Sequence, residues 1–138
     1  MRHQKLDGTT WLLAFSSGEQ VVRLLTDFAA GYDVRAADFR AVGAFRRATV
    51  AFYDLVAKRY EEHVVDEQVE VCSLLGNVSR FEDEVRIHAH VVLGRRDLST
   101  IGGHLVEAEV GPTLELFLHR YNATLDRAYD ESVGLPLL

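Results

Sequence analysis

The strongest constraint on the fold of this chain is the recurrence of an apolar residue at every second position from Val85 to Leu93, VRIHAHVVL. Every second residue is apolar, and Arg86, His88 and His90 occupy positions between them. Side chains two positions apart leave the same face of an extended strand. The segment is therefore predicted to be a β-strand with one apolar face and an opposite face that carries two histidines.

A second strand is predicted to return beside the first and to add a third histidine. If Arg95 to Ser99 form the loop, His104 lies opposite His90, because each is seven positions from Asp97. A shift of two residues would place His104 opposite His88 and would leave all three imidazoles on one face. Directly opposed residues have Cβ atoms about 4.5–5.5 Å apart. In either register, three imidazoles could meet at one point.

Length and composition are those of an ordinary globular domain. The chain has 138 residues, of which 48% are hydrophobic and 26% charged, and a chain of this size can bury about two thirds of its surface. We expect residues 1–138 to form one domain in which residues 1–8 are flexible. The single cysteine, Cys72, cannot form an intramolecular disulfide and is expected to be a buried, inert thiol. With no signal-peptide pattern and no apolar run near the roughly 18 residues of a membrane span, we expect a cytoplasmic location.

One principal helix is predicted between Ser17 and Gly31. Ser17 can serve as its N-cap with Gln20 at the third helical position. The negative charge of Glu19 in the first turn would interact favourably with the helix dipole. Gly31 is suited to end the helix in the left-handed conformation. Apolar residues recur at helical spacing, namely Val21, Leu24, Leu25, Phe28 and Ala29. This helix should cover one face of a sheet.

Most remaining segments favour β-strands. Strands are predicted at 10–16, 34–53, 58–65, 67–75, 85–93, from 101 onward, and 113–119. Gly43 is expected to mark a bend or bulge, and Gly76-Asn77 a turn or strand end. Residues 123–129 are compatible with a strand or a helix. The predicted class is α+β: a single twisted, largely antiparallel sheet of seven to nine strands with one main helix packed on it.

The charge of the chain bears on its partners. The formal net charge is −6, whereas proteins that bind nucleic acid usually present a basic face. Basic residues cluster at Arg35, Arg40, Arg46 and Arg47 and at Arg95-Arg96, and a solvated face is the favoured interpretation of both clusters.

Together, these motifs resemble the plants-and-prokaryotes conserved (PPC) domain, which accompanies AT-hooks in plant nuclear proteins. The resemblance covers nearly the whole chain and rests on SGEQVVRLL, AVGAFRRATVAFYD, SLLGNVS, HAHVVL, GGHL and RAYDESVGLPLL. It implies a homotrimer of a mixed α/β sheet domain and, as in several prokaryotic members, a divalent metal, commonly zinc, bound by three histidines. Those ligands would be His88, His90 and His104. The family description also implies a DNA-binding or regulatory role.

One departure from the plant members concerns DNA. An AT-hook is a Gly-Arg-Pro core that enters the minor groove, and the two prolines of this chain, Pro112 and Pro136, do not lie in such a sequence.

The chain has more aromatic and aliphatic side chains in its predicted strands than one helix can cover, which is in line with burial against other subunits. These side chains are Phe45, Phe52, Tyr53, Leu116 and Phe117.

The histidine set allows two kinds of chemistry. Zinc held by three imidazoles keeps an open position for water or a ligand, and it lowers the pKa of bound water towards about 7. A catalytic site would also need an acid or base, for which Glu70, Glu82 and Glu107 are candidates, although Glu107 should face away from the histidines on a regular strand. Alternatively, the histidines are ordinary sheet or interface residues without metal.

Other residues near the hairpin have two interpretations each. Gly102 and Gly103 either let the backbone approach a metal, ligand or subunit closely, or form a bulge that starts a strand. Asn77 either lines the site or serves only the turn. The remaining histidines, His3, His63 and His119, are isolated and expected to be structural or exposed.

The preferred function is a homotrimeric binding or regulatory protein with a three-histidine metal site, and a small-molecule ligand is a possible further partner. The alternatives are a small zinc-dependent hydrolytic enzyme and a direct DNA-binding protein.

Overall fold

The structure, a computed structural model, describes residues 1–138 and contains nine strands and one helix. The strands are β1 (Arg2–Lys5), β2 (Thr10–Ser16), β3 (Ala37–Asp54), β4 (Arg59–Val65), β5 (Val69–Phe81), β6 (Glu84–Gly94), β7 (Thr100–Arg120), β8 (Ala128–Asp130) and β9 (Leu135–Leu137). The helix, α1, spans Val21–Gly31. The α+β class with one principal helix is confirmed. No helix is long and apolar enough to cross a membrane.

Seven strands form one antiparallel sheet in the order β1-β2-β7-β6-β5-β3-β4, and β8 pairs with β9 in a second, small sheet. An additional pairing joins β7 to β3, so that β3, β5, β6 and β7 form a closed ring of hydrogen-bonded strands. The prediction of a single sheet is therefore correct for the main body of the protein. The C-terminal hairpin of β8 and β9 is the addition to it.

Two long strands make the closed ring possible. β3 has 18 residues and pairs with β5 and then β4 along its length, while β7 has 21 residues and pairs with β6, β3 and β2. The two strands predicted separately at 101 and 113–119 are thus one strand. Gly43 lies at the register shift between β3 and β5 with φ 149°, and a Cβ there would collide with the carbonyl of Thr113. Of the bend or bulge predicted at Gly43, the structure has the bulge, and it lies inside one continuous strand.

The core lies between α1 and one face of the sheet. The helix buries Val21, Leu25, Phe28 and Ala29 and contacts β6 and β7. Alternate residues of the strands complete this core, including Leu13, Phe15, Leu114, Leu116 and Leu118, each at most 1% exposed. Because side chains alternate along each strand, the intervening residues are placed on the outer face of the sheet.

The start of α1 differs from the prediction of a Ser17 cap. Gln20 occupies the N-cap and its side chain makes no capping hydrogen bond. Instead, the carboxylate of Glu107 on β7 accepts hydrogen bonds from the backbone N–H groups of Val22 and Arg23, at 2.7 and 3.0 Å. Ser17 accepts a hydrogen bond from Arg46 instead. A residue 85 positions away satisfies the free N–H groups, which local capping rules do not consider.

The end of α1 also differs from the prediction. Gly31 is the last helical residue and does not adopt a positive φ, whereas Asp33 does, at 48°. The N–H of Tyr32 bonds back to the carbonyl of Phe28, so the last helical turn is closed without a left-handed glycine.

Three further predictions on local structure are wrong. Residues 2–5 form β1, paired with β2, whereas residues 1–8 were expected to be flexible. Gly76 and Asn77 lie inside β5 rather than in a turn, opposite Ala89 and His88 of β6. Cys72 is exposed rather than buried, since it follows the buried Val71 and lies on the same face of β5 as the exposed Glu70.

Replacing Glu107 by Ala is expected to destabilise the protein by about 1–2 kcal/mol, because two helical N–H groups lose their charged acceptor. Urea denaturation of Glu107→Ala measures this loss. Glu61→Ala is the control, since Glu61 lies exposed on β4, and it should change stability by less than about 0.5 kcal/mol. Equal stability of the two variants would contradict the capping role of Glu107.

Candidate metal centre

Three histidines converge on the outer face of the sheet. β6 supplies His88 and His90, and β7 supplies His104, which pairs with His90 in the register expected for the loop centred on Asp97. The ring centroids are 5.1 Å apart for His88 and His90, 5.4 Å for His88 and His104, and 5.7 Å for His90 and His104. One nitrogen from each ring lies within 4.8 Å of the others. The predicted meeting of the three imidazoles is therefore present in the fold.

Strand alternation explains why the histidines share this face. Ala89 and Val91 of β6 are buried in the core, so the side chains of His88 and His90 must leave on the opposite side. On the next strand, a Cβ on Gly103 would lie 2.7 Å from the carbonyl oxygen of Ala51. A Cβ on Gly102 would lie 2.9 Å from the carbonyl oxygen of Val91.

The two glycines therefore permit a close approach of the backbone. The groups approached are the neighbouring strands β3 and β6, rather than a metal, ligand or other subunit. Gly102 and Gly103 are paired in regular register with Val92 and Val91, so they do not form a bulge. By allowing β7 to lie tightly between β6 and β3, they place His104 beside the other two histidines.

Burial keeps two of the imidazoles neutral. Burial, with smaller contributions from His88 and His90, lowers the pKa of His104 to about 4. Burial also lowers the pKa of His88, assisted by the nearby charge of Arg127 and by His90. Neutral imidazole is the form that coordinates a metal ion.

The surroundings of His104 fit a metal ligand. Its ring stacks on Tyr60 of β4 with centroids 4.8 Å apart, which fixes the orientation of the ring. Its Nδ1 atom is buried and has no hydrogen-bond partner in the protein. A buried nitrogen without a partner is costly, and coordination of this ring to a cation is one way of lowering that cost. Three neutral imidazoles are also a donor set that zinc accepts.

A cavity of about 310 Å³ lies against the histidines. Its lining residues are Tyr60, Arg86, Ile87, His88, His104, Arg127, Leu135, Pro136 and Leu137. No aspartate or glutamate is among them. The cavity therefore combines two imidazoles, two arginines and an apolar wall.

The C-terminal hairpin forms that apolar wall and is held in place from the β3–β4 hairpin. The hydroxyl of Tyr53 donates to the carbonyl of Val133 at 2.7 Å, and the amine of Lys58 donates to the carbonyl of Glu131 at 2.7 Å. Arg127 is fixed next to the histidines by hydrogen bonds to Ser79, Asn77 and Pro136.

Asn77 is thus close to the site, as the sequence allowed, but in a role that the sequence did not suggest. It lies directly opposite His88 on β5, and its side-chain oxygen accepts a hydrogen bond from Arg127 at 3.1 Å. Arg127 and Tyr60 were not among the predicted site residues. Only the RAYDESVGLPLL segment of the resemblance contained a signal for Arg127, because it extended the resemblance to this end of the chain.

The proposed acid and base candidates do not reach the histidines. Glu107 binds the start of α1, and neither Glu70 nor Glu82 lines the cavity. The other histidines also lie elsewhere: His3 contacts the hydroxyl of Tyr32 at 2.7 Å, and His119 lies 3.6 Å from Asp38. His63 is exposed on β4.

Comparison with known families identifies the domain. The model of the Plants and Prokaryotes Conserved (PCC) domain, also called the PPC domain, matches residues 2–122. The chain belongs to this family. The expected family relationship is confirmed, and the match ends before the residues of the C-terminal hairpin that border the cavity.

Solved structures extend the comparison over nearly the whole PPC chain. A protein from Archaeoglobus fulgidus, described as metal-containing, is 36% identical with a TM-score of 0.88, covering 94% of this chain and 92% of that one. A PPC protein from Pyrococcus horikoshii is 30% identical with a TM-score of 0.87, covering 94% and 90%. A protein from Bacteroides thetaiotaomicron, provisionally described as DNA-binding, is 26% identical with a TM-score of 0.94, covering 99% and 94%. No curated protein matches the chain.

Acidification is expected to destabilise the metal-free protein as the pH falls from about 6.5 towards 4. In this range the unfolded chain protonates His104 while the folded chain keeps it neutral, so the unfolded state binds more protons and gains stability. Because the ring is only half-buried, the contribution is about 1 kcal/mol, well below that of the full pKa shift. His104→Gln should reduce the pH dependence.

Urea denaturation of chelator-treated protein at a pH of about 7 and about 5 measures this effect. His63→Gln, which alters an exposed histidine outside the cluster, should lose as much stability as the unaltered protein. An equal loss in His104→Gln and the unaltered protein would show that His104 does not carry the effect.

Proposed function

We propose that this PPC protein is a homotrimeric binding or regulatory protein in which His88, His90 and His104 hold a divalent metal ion, with zinc the preferred ion. The observation that carries the proposal is the convergence of the three imidazoles, each offering a nitrogen within 4.8 Å of the others. The lowered pKa values of His88 and His104 support it, because both rings are available for coordination at neutral pH. A relative that is 36% identical is described as metal-containing.

The proposed metal would supply Lewis acidity and a coordination position for water or a ligand, since three protein ligands leave a tetrahedral site open. The surrounding residues would orient and select what enters. Tyr60 fixes the plane of His104, and Arg127 presents a guanidinium group to the adjoining cavity. These features favour recognition of a small molecule.

Hydrolysis is less well supported than binding. General acid–base chemistry needs a side chain within hydrogen-bond reach of the reacting group. The cavity contains no carboxylate, and Glu107, one of the carboxylate candidates from the sequence, is engaged at the start of α1. A zinc-dependent enzyme therefore remains the alternative rather than the proposal.

Direct DNA binding is also less well supported than the proposed metal-binding role, although one relative is provisionally described as DNA-binding. The net charge of −6 opposes binding to a polyanion. Arginines in both basic clusters are paired with acidic residues. The pairs are Arg35–Asp33, Arg46–Glu109, Arg47–Asp66 and Arg95–Glu67. Their positive charges are largely compensated within the protein.

The homotrimer is supported by apolar side chains on the outer face of the sheet. Val42 is 56% exposed, Leu75 is 59% exposed, and Phe117 lies beside them in a shallow groove that also contains Cys72. Contiguous apolar surface of this kind is typical of subunit contacts. Phe45 and Leu116, which the sequence also suggested for burial against other subunits, are instead buried in the core of the protomer.

We also propose that residues 1–138 act as one domain and that the protein is cytoplasmic. Tethers from Tyr53, Lys58 and Arg127 attach the C-terminal hairpin to the main sheet. A single free cysteine suits a reducing compartment.

Purified protein is expected to bind about one zinc ion per chain, and each of His88→Ala, His90→Ala and His104→Ala should weaken zinc binding by more than about 100-fold. Loss of residues that merely orient a ligand already costs 10–100-fold. Competition with a zinc-binding dye, together with elemental analysis, measures the affinity. His63→Ala is the matched control and should bind zinc normally. Unchanged zinc binding in His88→Ala and His104→Ala would refute the ligand assignment.

Light scattering should give a mass about three times the 15.5 kDa of one chain. Val42→Glu and Leu75→Glu each place a charge on the proposed contact surface and should shift the protein towards monomer. Val56→Glu, at a position 95% exposed outside the groove, should leave the assembly intact. A monomeric unaltered protein at micromolar concentration would contradict the trimer.

A further inference from the structure

Arg127 donates more side-chain hydrogen bonds than any other arginine of this protein, and all three of its acceptors are neutral. Its Nε atom donates to the hydroxyl of Ser79 at 2.7 Å. One terminal nitrogen donates to the carbonyl of Pro136 at 3.0 Å, and the other donates to the side-chain oxygen of Asn77 at 3.1 Å. A guanidinium group carries five N–H donors. Two donors therefore remain beside the cavity that Arg127 lines.

The charge of Arg127 is also uncompensated. The other arginine of the cavity, Arg86, lies 3.2 Å from the carboxylate of Glu84, whereas no carboxylate lies within ion-pair distance of Arg127. The cavity lining supplies no acidic group. A half-buried cation without a counterion is energetically unfavourable. An anion that entered the cavity would provide the missing partner.

The shape and lining of the cavity restrict the kind of anion. Ile87 and the three residues of β9 give it an apolar wall, and the ring of Tyr60 extends that wall. A volume of about 310 Å³ is at the small end of the range for organic ligands. An inorganic anion would leave the apolar wall without a partner, whereas an organic acid could cover it.

We infer that this cavity binds a small organic carboxylate, whose anionic group pairs with Arg127 and whose apolar body packs against Ile87 and β9. Arg127 is held by Ser79, Asn77 and Pro136 before any ligand arrives, so little side-chain entropy is lost on binding. The inference deepens the proposed function by naming the ligand class of the histidine site. It does not require the metal, because Arg127 and the apolar wall belong to the protein itself.

Hexanoate is a suitable probe, with hexan-1-ol as the neutral analogue of equal chain length and inorganic phosphate as an anion without an apolar body. Isothermal titration at constant ionic strength compares the three. Hexanoate is expected to bind at least about tenfold more tightly than either comparison compound, because only hexanoate offers both a carboxylate to Arg127 and an apolar body to the wall. Equal affinities for hexanoate and hexan-1-ol would overturn the role of the carboxylate. Tighter binding of phosphate would overturn the organic ligand class.

Variants test the residue assignment. Arg127→Gln should weaken hexanoate binding about tenfold or more, while Arg127→Lys keeps the charge and should retain the preference for hexanoate over hexan-1-ol. Arg23→Gln removes an exposed arginine of α1 and should bind hexanoate normally. Wild-type affinity in Arg127→Gln would overturn the inference. If Arg127→Gln loosens the C-terminal hairpin, Arg127→Lys provides the test instead. Loss of the preference for hexanoate over hexan-1-ol in a folded Arg127→Lys protein would then overturn the inference.

Amide resonances in nuclear magnetic resonance spectra locate the ligand. Hexanoate should shift the resonances of Ile87, His88 and Leu137 and leave those of the β2 strand unchanged. Shifts confined to other regions would overturn the assignment to this cavity.

Running the titrations on metal-free and zinc-loaded protein separates this inference from the proposed function. Zinc binding without hexanoate binding would refute only the carboxylate site. Hexanoate binding with Arg127 dependence, but without zinc binding, would support the carboxylate site and refute only the metal centre.

Discussion

The pairing of β3 with β7 is the interaction on which the rest of the structure depends. The two strands remain hydrogen-bonded from Ala37 opposite Arg120 to Ala51 opposite His104, with the register shifting at three places. These irregularities bend both strands. The same β3–β7 pair can therefore contribute to the core covered by α1 and also close the ring of strands. Since β6 and β5 complete that ring, the position of His104 relative to His88 and His90 follows from the same pairing.

Strand alternation places the histidine site and the core on opposite faces of the sheet. Ala89 and Val91 are buried in the core, which leaves His88 and His90 on the outer face, where His88 lines the cavity. The same strand, β7, carries His104 on one stretch and the helix-binding carboxylate of Glu107 three residues later. A register error in β7 would therefore disturb the core, the helix start and the candidate metal centre together.

The cavity acquires its character from the C-terminal hairpin. β9 supplies apolar surface, Arg127 supplies positive charge, and the β3–β4 hairpin holds the segment in place through Tyr53 and Lys58. In this arrangement the three histidines come from the ring of strands, whereas Arg127 and β9, which would select a ligand, come from outside it. Changes in the hairpin could thus alter ligand preference without disturbing the histidines.

The sequence by itself determined the features that depend on local periodicity. It predicted the α+β class, a bend or bulge at Gly43, and three histidines on one face of a strand pair, because alternation is a pattern of neighbouring residues. The structure decided between the two registers that the sequence left open, by placing His104 opposite His90. Only the tertiary structure decided where Glu107, Asn77 and Arg127 act. Glu107 meets α1 across 85 positions, and Arg127 meets Asn77 across 50. Such contacts arise from the closure of the sheet and the folding back of the C-terminus, which no local pattern encodes.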